Sequence, residues 1–252
     1  MLRRLVAVMS LLAVSAALAA IVAGARGEGR AETREDRAAA QARGDDARPS
    51  GGASEARGGP RAARRARPPA RPRGPAAPPV AWRSSRALGS PTGGRLVRGV
   101  KLPVRGTHFL TWDPVRKTTP NRWWRRYGTD ELVRLLLRVT RAFARAHPHA
   151  PRLLIGDLSR PRGGDFGRAY GPLGHVSHQN GLDADVYYPR KDGRERAPLT
   201  AAQVDRRLAQ DLVDRFIRAG VPTLLVGPSL KLRGRGVQPW PNHDNHVHIR
   251  LG

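Results

Sequence analysis

The stretch RGGPRAARRARPPARPRGPAAPP, residues 57–79, limits what this chain can fold into more than any other feature. It is made of Arg, Pro, Ala and Gly, and has no side chain that could anchor an apolar core. The composition is similar from residue 26 to about 85. Such a segment cannot offset the entropy lost on ordering, so residues 26–86 are expected to form a disordered or polyproline-like spacer. The packed domain must then be built from residues 87–252. About 160 residues suffice for one domain with its own core.

Ahead of the spacer, Met1–Arg4 is basic, and Leu5–Gly24 is an uncharged run rich in Leu, Val and Ala. Ala23, Gly24 and Ala25 place small residues at a cleavage position. Residues 1–25 therefore read as a secretory signal peptide. The run is also long enough to span a bilayer as an uncleaved anchor, and both readings stay open. Either one makes the protein exported, to the periplasm, the wall or the medium, with the membrane touched only through this segment. The chain has no cysteine. Disulfides and thiolate ligands are thus excluded, and any metal must be held by imidazole and carboxylate.

The formal net charge is +26. From residue 91 onward, 29 Lys and Arg stand against 13 Asp and Glu, so the excess is not confined to the N-terminal part. One reading is an Arg-biased composition, since Lys occurs only at 101, 117, 191 and 231. The other is attraction to a polyanion, such as an anionic cell-wall polymer. An export signal argues against nucleic acid.

Within residues 87–252, GRLVRGVKLP and THFLTW suggest strands. Thr129 or Asp130 caps a helix through about Ala146, with Leu132, Leu135, Leu136, Val139 and Phe143 on one face. PRLLIGDL and DADVYY hold further strands. Thr200 and Gln203 form a capping-box pattern for a second helix that Gly220 ends. PTLLVG and HVHIRL supply the last strands. Helices interleave with short strands without a regular βαβ rhythm, which predicts an α+β fold with a mainly antiparallel sheet and flanking helices.

Five of the eight histidines lie in two stretches, GHVSHQNGLDADVYYP and NHDNHVHIRL. On a strand, His246 and His248 share one face, and Val247 and Ile249 point to the core. Asp183 and Asp185 likewise share a face. Gly181 permits a tight turn that folds His178 back beside that strand. His178, Asp185 and one histidine of the His-Val-His pair then converge. Two imidazoles and one carboxylate leave a fourth position for water, the pattern of a catalytic zinc. Asp183 is expected to orient the turn or a ligand imidazole. Gly163, Gly164 and Ser177 are expected to shape the cleft, and Asp157 and Asp165 to be structural.

Taken together, GDLSRPRGG, GHVSHQNGLDADVY and QPWPNHDNHVHIRL closely resemble the penicillin-insensitive murein endopeptidases. These belong to the zinc fold group of lysostaphin-type enzymes, D-Ala-D-Ala peptidases and hedgehog domains. ALGSPTGGRLVRGVKLP and RRYGTDELVRLL extend the likeness over roughly Ala87–Leu251. The resemblance implies a hedgehog/D-Ala-D-Ala-peptidase-like fold, one Zn2+ and a peptidoglycan peptide as substrate. It makes His178, Asp185 and His248 the zinc ligands, His246 the catalytic histidine and His243 a further active-site histidine. His175 matches a histidine that contributes to an additional metal in some members. The segment between Tyr188 and Thr223 looks shorter than in enterobacterial members and the other ligands of that second metal are not matched, so the resemblance leaves a second metal open. Two alternatives remain: a D,D-carboxypeptidase or dipeptidase trimming uncross-linked stems, and a non-catalytic wall-binding domain.

Overall fold

A computed structural model describes residue 70, residues 74–167 and residues 175–252. The signal or anchor segment and most of the spacer lie outside the described residues. Among the described residues, no helix is long and apolar enough to cross a membrane.

Among the described residues there are ten short strands and two α-helices. They are β1 (Arg86–Ser90), β2 (Gly93–Val97), β3 (Val100–Lys101), β4 (Phe109–Thr111), β5 (Tyr127–Gly128), α1 (Asp130–Ala146) and β6 (Leu153–Ile155). They continue with β7 (Asp183–Tyr187), α2 (Arg206–Arg218), β8 (Thr223–Val226), β9 (Val237–Pro239) and β10 (His246–Arg250). Six strands form the main sheet in the order β4-β6-β7-β10-β8-β9. The three central pairings are antiparallel, and the outer pairings β4–β6 and β8–β9 are parallel. This is the expected α+β class with a mainly antiparallel sheet.

The period of two along β7 and β10 makes the sheet two-sided. Ala184, Val186, Val247 and Ile249 have no exposed surface and join the core cluster with the buried residues of α1 and α2. The alternate residues Asp183, Asp185, His246, His248 and Arg250 therefore occupy the other face.

α1 starts where the sequence places it. Thr129 is the N-cap, and its Oγ1 accepts from the Leu132 backbone N–H at 3.2 Å. Asp130 and Glu131 in the first turn complement the helix dipole. Ser85 adds a second tie: its Oγ donates to Asp130 Oδ1 and accepts from the Asp130 N–H, both at 2.6 Å. With Val80 packed against the core, this puts contacts on the spacer side of the residue-86 boundary. Thr129→Ala is expected to lower stability by about 1 kcal/mol in urea unfolding. A change below about 0.3 kcal/mol would mean that Ser85 alone fixes the helix start.

α2 corrects the capping-box expectation. Its N-cap is Asp205, whose carboxylate accepts from the Leu208 N–H at 3.0 Å. Thr200 opens only a short 3-10 turn and makes no side-chain cap. Gln203 Oε1 instead accepts from the Leu199 N–H and from Arg190 Nη1. The pattern marked a real turn, but Val204 is drawn into the core, which displaces the helix start. The strand expected in GRLVRGVKLP is paired antiparallel with β1, which carries little apolar signal of its own.

Candidate metal centre

Two strands far apart in sequence build the site. β10 pairs with β7 so that His248 lies opposite Asp185, His246 opposite Tyr187 and Arg250 opposite Asp183. This register brings two carboxylates and two imidazoles onto one patch of the sheet.

His178 arrives from the turn before β7. Its backbone sits at φ 67°, and Gly181 at φ 81° lets the chain reverse. The His178 N–H donates to Asp183 Oδ2 at 3.1 Å, which ties the turn to the strand. Behind the turn, Gly163 (φ 68°) lies so close to β2 and to the Gln179 carbonyl that an added Cβ would stand 2.1 Å from that oxygen. Three chain segments meet there, and only glycine fits.

The imidazoles converge on Asp185. Its Oδ1 lies 3.2 Å from His248 Nδ1, 3.5 Å from His178 Nε2 and 3.6 Å from His246 Nε2. His175 Nε2 is 3.9 Å from Asp185 Oδ2. His178, Asp185 and His248 are all buried. His243 stands outside this shell, with its ring 4.7 Å from that of His246 and 5.9 Å from that of His248.

The outer hydrogen bonds set which nitrogen of each ring faces inward. His178 Nδ1 donates to the Leu158 carbonyl at 2.7 Å, so its Nε2 carries the lone pair. That Nε2 is buried and has no hydrogen-bond partner. A buried acceptor aimed at a carboxylate and other imidazoles is what a cation would satisfy. His248 Nε2 donates to Asp183 Oδ1 at 2.9 Å, and its Nδ1 is turned toward Asp185. Asp183 Oδ1 also accepts from Arg250 Nε at 2.7 Å. His246 Nδ1 donates to Asn245 Oδ1 at 2.6 Å, which leaves Nε2 as the inward acceptor. His243 Nδ1 donates to the Pro241 carbonyl at 2.7 Å.

Electrostatics separate these groups. Burial pulls the His178 pKa down, and it pulls His246 down to about 4, so both rings are neutral near pH 7. His243 is lowered for the same reason. Burial also opposes charge on His248, but its two carboxylate partners prevail and raise it to about 9. Asp185 resists burial because His178 and His246 surround it, and it is held well below the usual carboxylate range. Asp183 is lowered to about 2: burial opposes this, but the hydrogen bond from His248 outweighs it. A cation entering the cluster has to displace the His248 proton.

The ligand atoms of His175, His178 and Asp185 lie within 4.8 Å of one another, close enough for one metal ion. The same patch also offers His248. His175 completes the group that meets this distance and His248 does not, so His248 is a candidate on its outer hydrogen bonds. Its far nitrogen rests on Asp183 and its near nitrogen faces Asp185, the carboxylate–imidazole arrangement typical of metal-binding histidines. His175 Nε2 is already engaged with Asp157 Oδ2 at 2.8 Å.

Asp157, expected to be structural, has that role, and its bond to His175 is the link that sequence reasoning did not foresee. It has no exposed surface, holds His175, accepts from Asn121 Nδ2 at 2.9 Å and pairs with Arg125 Nε at 3.0 Å. Arg125 is fully buried too, against the rings of Trp124 and Phe166. The available signal was the position of Asp157, two residues beyond the apolar run LLI, where a carboxylate has no access to water unless it is paired. Asp165 stays at the surface, where its Oδ1 accepts from the Gly167 N–H. Ser177 makes no contact that assigns it a role in the cluster.

A family model described as penicillin-insensitive murein endopeptidase matches residues 87–221. His178 and Asp185 lie inside that span, and His243, His246 and His248 lie beyond it. The chain is 30% identical over 200 residues to the penicillin-insensitive murein endopeptidase of Escherichia coli O6:K15:H31 (strain 536 / UPEC). It is 29% identical over 200 residues to the proteins of the same name from E. coli O1:K1 / APEC and E. coli strain SMS-3-5 / SECEC. Each match covers 67% of this chain and 66% of the relative, so the similarity spans slightly less than two thirds of those relatives.

Proposed function

This chain belongs to the penicillin-insensitive murein endopeptidase family, and from that premise we propose that it is an exported zinc peptidase hydrolysing the peptide cross-links of peptidoglycan. The bond cut is the one between D-alanine and the diamino acid of a neighbouring stem. The observation that carries this reading is the convergence of His178, His246 and His248 on Asp185.

His178, Asp185 and His248 would hold the metal. Two imidazoles and a carboxylate, with no sulfur, suit zinc, and three protein ligands leave a position for substrate or water. A zinc ion bound there would supply Lewis acidity, polarising the scissile carbonyl and lowering the pKa of an attacking water. His246 is the general base. It shares the sheet face with His248, its Nδ1 proton is fixed on Asn245, and burial keeps Nε2 unprotonated. It accepts a proton from the water and returns it to the leaving amine. His243, with its Nδ1 proton held by the Pro241 carbonyl, presents Nε2 beside His246 as an acceptor for a proton donor such as the water or the leaving amine. Asp183 locks the orientation of His248. His175, fixed by Asp157, borders the cluster on the substrate side.

The test is mass spectrometry of muropeptides before and after incubation with the purified protein. Cross-linked dimers are expected to yield monomers, chelator to stop the reaction, and zinc to restore it. Free D-alanine from a monomeric pentapeptide, with dimers left intact, would instead assign a carboxypeptidase. Binding to peptidoglycan with no cleavage at all would assign a wall-binding domain.

A further inference from the structure

α1 has two unlike sides. Leu132, Leu135, Leu136, Val139 and Phe143 are buried in the core. Arg134, Arg138, Arg141 and Arg145 are all exposed. At 100° and 1.5 Å per residue, these four positions fall within about 60° of arc along about 16 Å of helix. Arg134 lies 3.8 Å from Asp130. Among the described residues, Arg138, Arg141 and Arg145 have no ion-pair partner. Arginines that merely reflect composition would be scattered and partly balanced, as Arg152 is by Glu195 and Arg215 by Asp211.

The stripe also has shape. On one side, a concavity of about 440 Å3 is lined by Trp82, Arg134, Leu137, Arg138, Arg141 and Arg145. On the other, one of about 350 Å3 is lined by Arg141, Arg145, His147 and Arg152, among others. Arg141 and Arg145 belong to both. Trp82 is 40% exposed, and the Arg134 guanidinium sits 4.0 Å from its ring centroid. Guanidinium groups beside an exposed indole combine charge pairing with a flat apolar platform. The metal centre lies on the other face of the sheet, so an occupant here would not block it.

We propose that the outward face of α1 binds an acidic glycan of the cell wall, with the arginines on its carboxylate or phosphate groups and Trp82 against a sugar ring. The choice of a wall polymer rests on the peptidase reading above. Its role is to retain the enzyme on the wall while the opposite face works on cross-links.

The test uses the full-length protein and measures binding to polygalacturonate and to a phosphomannan, with dextran as the neutral control. The combined substitution Arg138→Glu, Arg141→Glu and Arg145→Glu is expected to weaken binding to at least one polyanion by about tenfold or more. Preference between the two polymers identifies carboxylate or phosphate as the group read. Arg207→Glu, Arg233→Glu and Arg235→Glu change the charge equally at other exposed sites and are expected to leave affinity within about threefold. Equal losses in the two triple variants would overturn the proposal, since only overall charge would then matter. So would a Trp82→Ala variant with unchanged affinity for both glycans, or DNA binding as tight and as stripe-dependent as glycan binding. Cleavage of a small soluble muropeptide dimer is expected to be unchanged in the stripe variant. Stripe-dependent binding by a wild-type protein that cleaves no dimer would sink the peptidase reading and leave the surface standing.

Discussion

Replacing His178 with alanine is expected to remove the bound metal and to lower cross-link hydrolysis by roughly three orders of magnitude, about 4 kcal/mol of transition-state stabilisation. His178 contributes the one fully buried imidazole nitrogen in the cluster that no protein group satisfies. Its tautomer is fixed by the Leu158 carbonyl. Metal content per protein, measured alongside the hydrolysis rate, separates loss of a ligand from loss of a base. His246→Ala is expected to keep the metal and lose the rate. His248→Ala and His175→Ala decide between the two possible third ligands. The first is expected to lose metal, and the second to retain it, because His175 is committed to Asp157. The opposite pattern would transfer the third ligand to His175.

Asp157→Ala is expected to be the most destabilising single change outside the hydrophobic core. It leaves the Arg125 guanidinium buried without its carboxylate, and removing one member of a buried pair costs about 3–5 kcal/mol. For a domain of this size, the midpoint of thermal unfolding should fall by about 10 °C. The double variant Arg125→Met with Asp157→Leu tests the cause. It removes both charges while keeping apolar volume, and should recover much of the loss. If the double variant is no better than Asp157→Ala, the cost lies in the contacts of Asp157 to Asn121 and His175, not in the stranded charge. His175 loses its anchor in both variants, so the fall in hydrolysis rate that both share relative to wild type, at a temperature where all three are folded, reports its positioning.

Much of this architecture follows from local rules. A period of two is enough to say that His246 and His248 share a face, and that Asp183 and Asp185 do. A helical period with a Thr cap is enough for α1. The second helix shows where such rules stop. Thr200 and Gln203 have the right spacing for a capping box, yet burial of Val204 and the pull of Leu199 and Arg190 on Gln203 delay the start to Asp205. β1, β3, β5 and β9 are two to five residues long and carry too few apolar side chains to show a period.

The chain alone determined the chemistry on offer: no thiols, two His/Asp clusters, and the face of the strand that each side chain takes. These are properties of residue type and of backbone geometry over a few residues, and neither needs a partner strand. The tertiary structure decided which of those groups meet. Asp185 and His248 are 63 residues apart, and only the register of β7 against β10 sets them 3.2 Å from each other. A shift of one residue would turn every one of these side chains into the core. The role of Asp157 was decided in the same way. Its partners Asn121 and Arg125 lie more than 30 residues upstream and His175 lies 18 downstream, so the buried pair exists only once the sheet has closed around it.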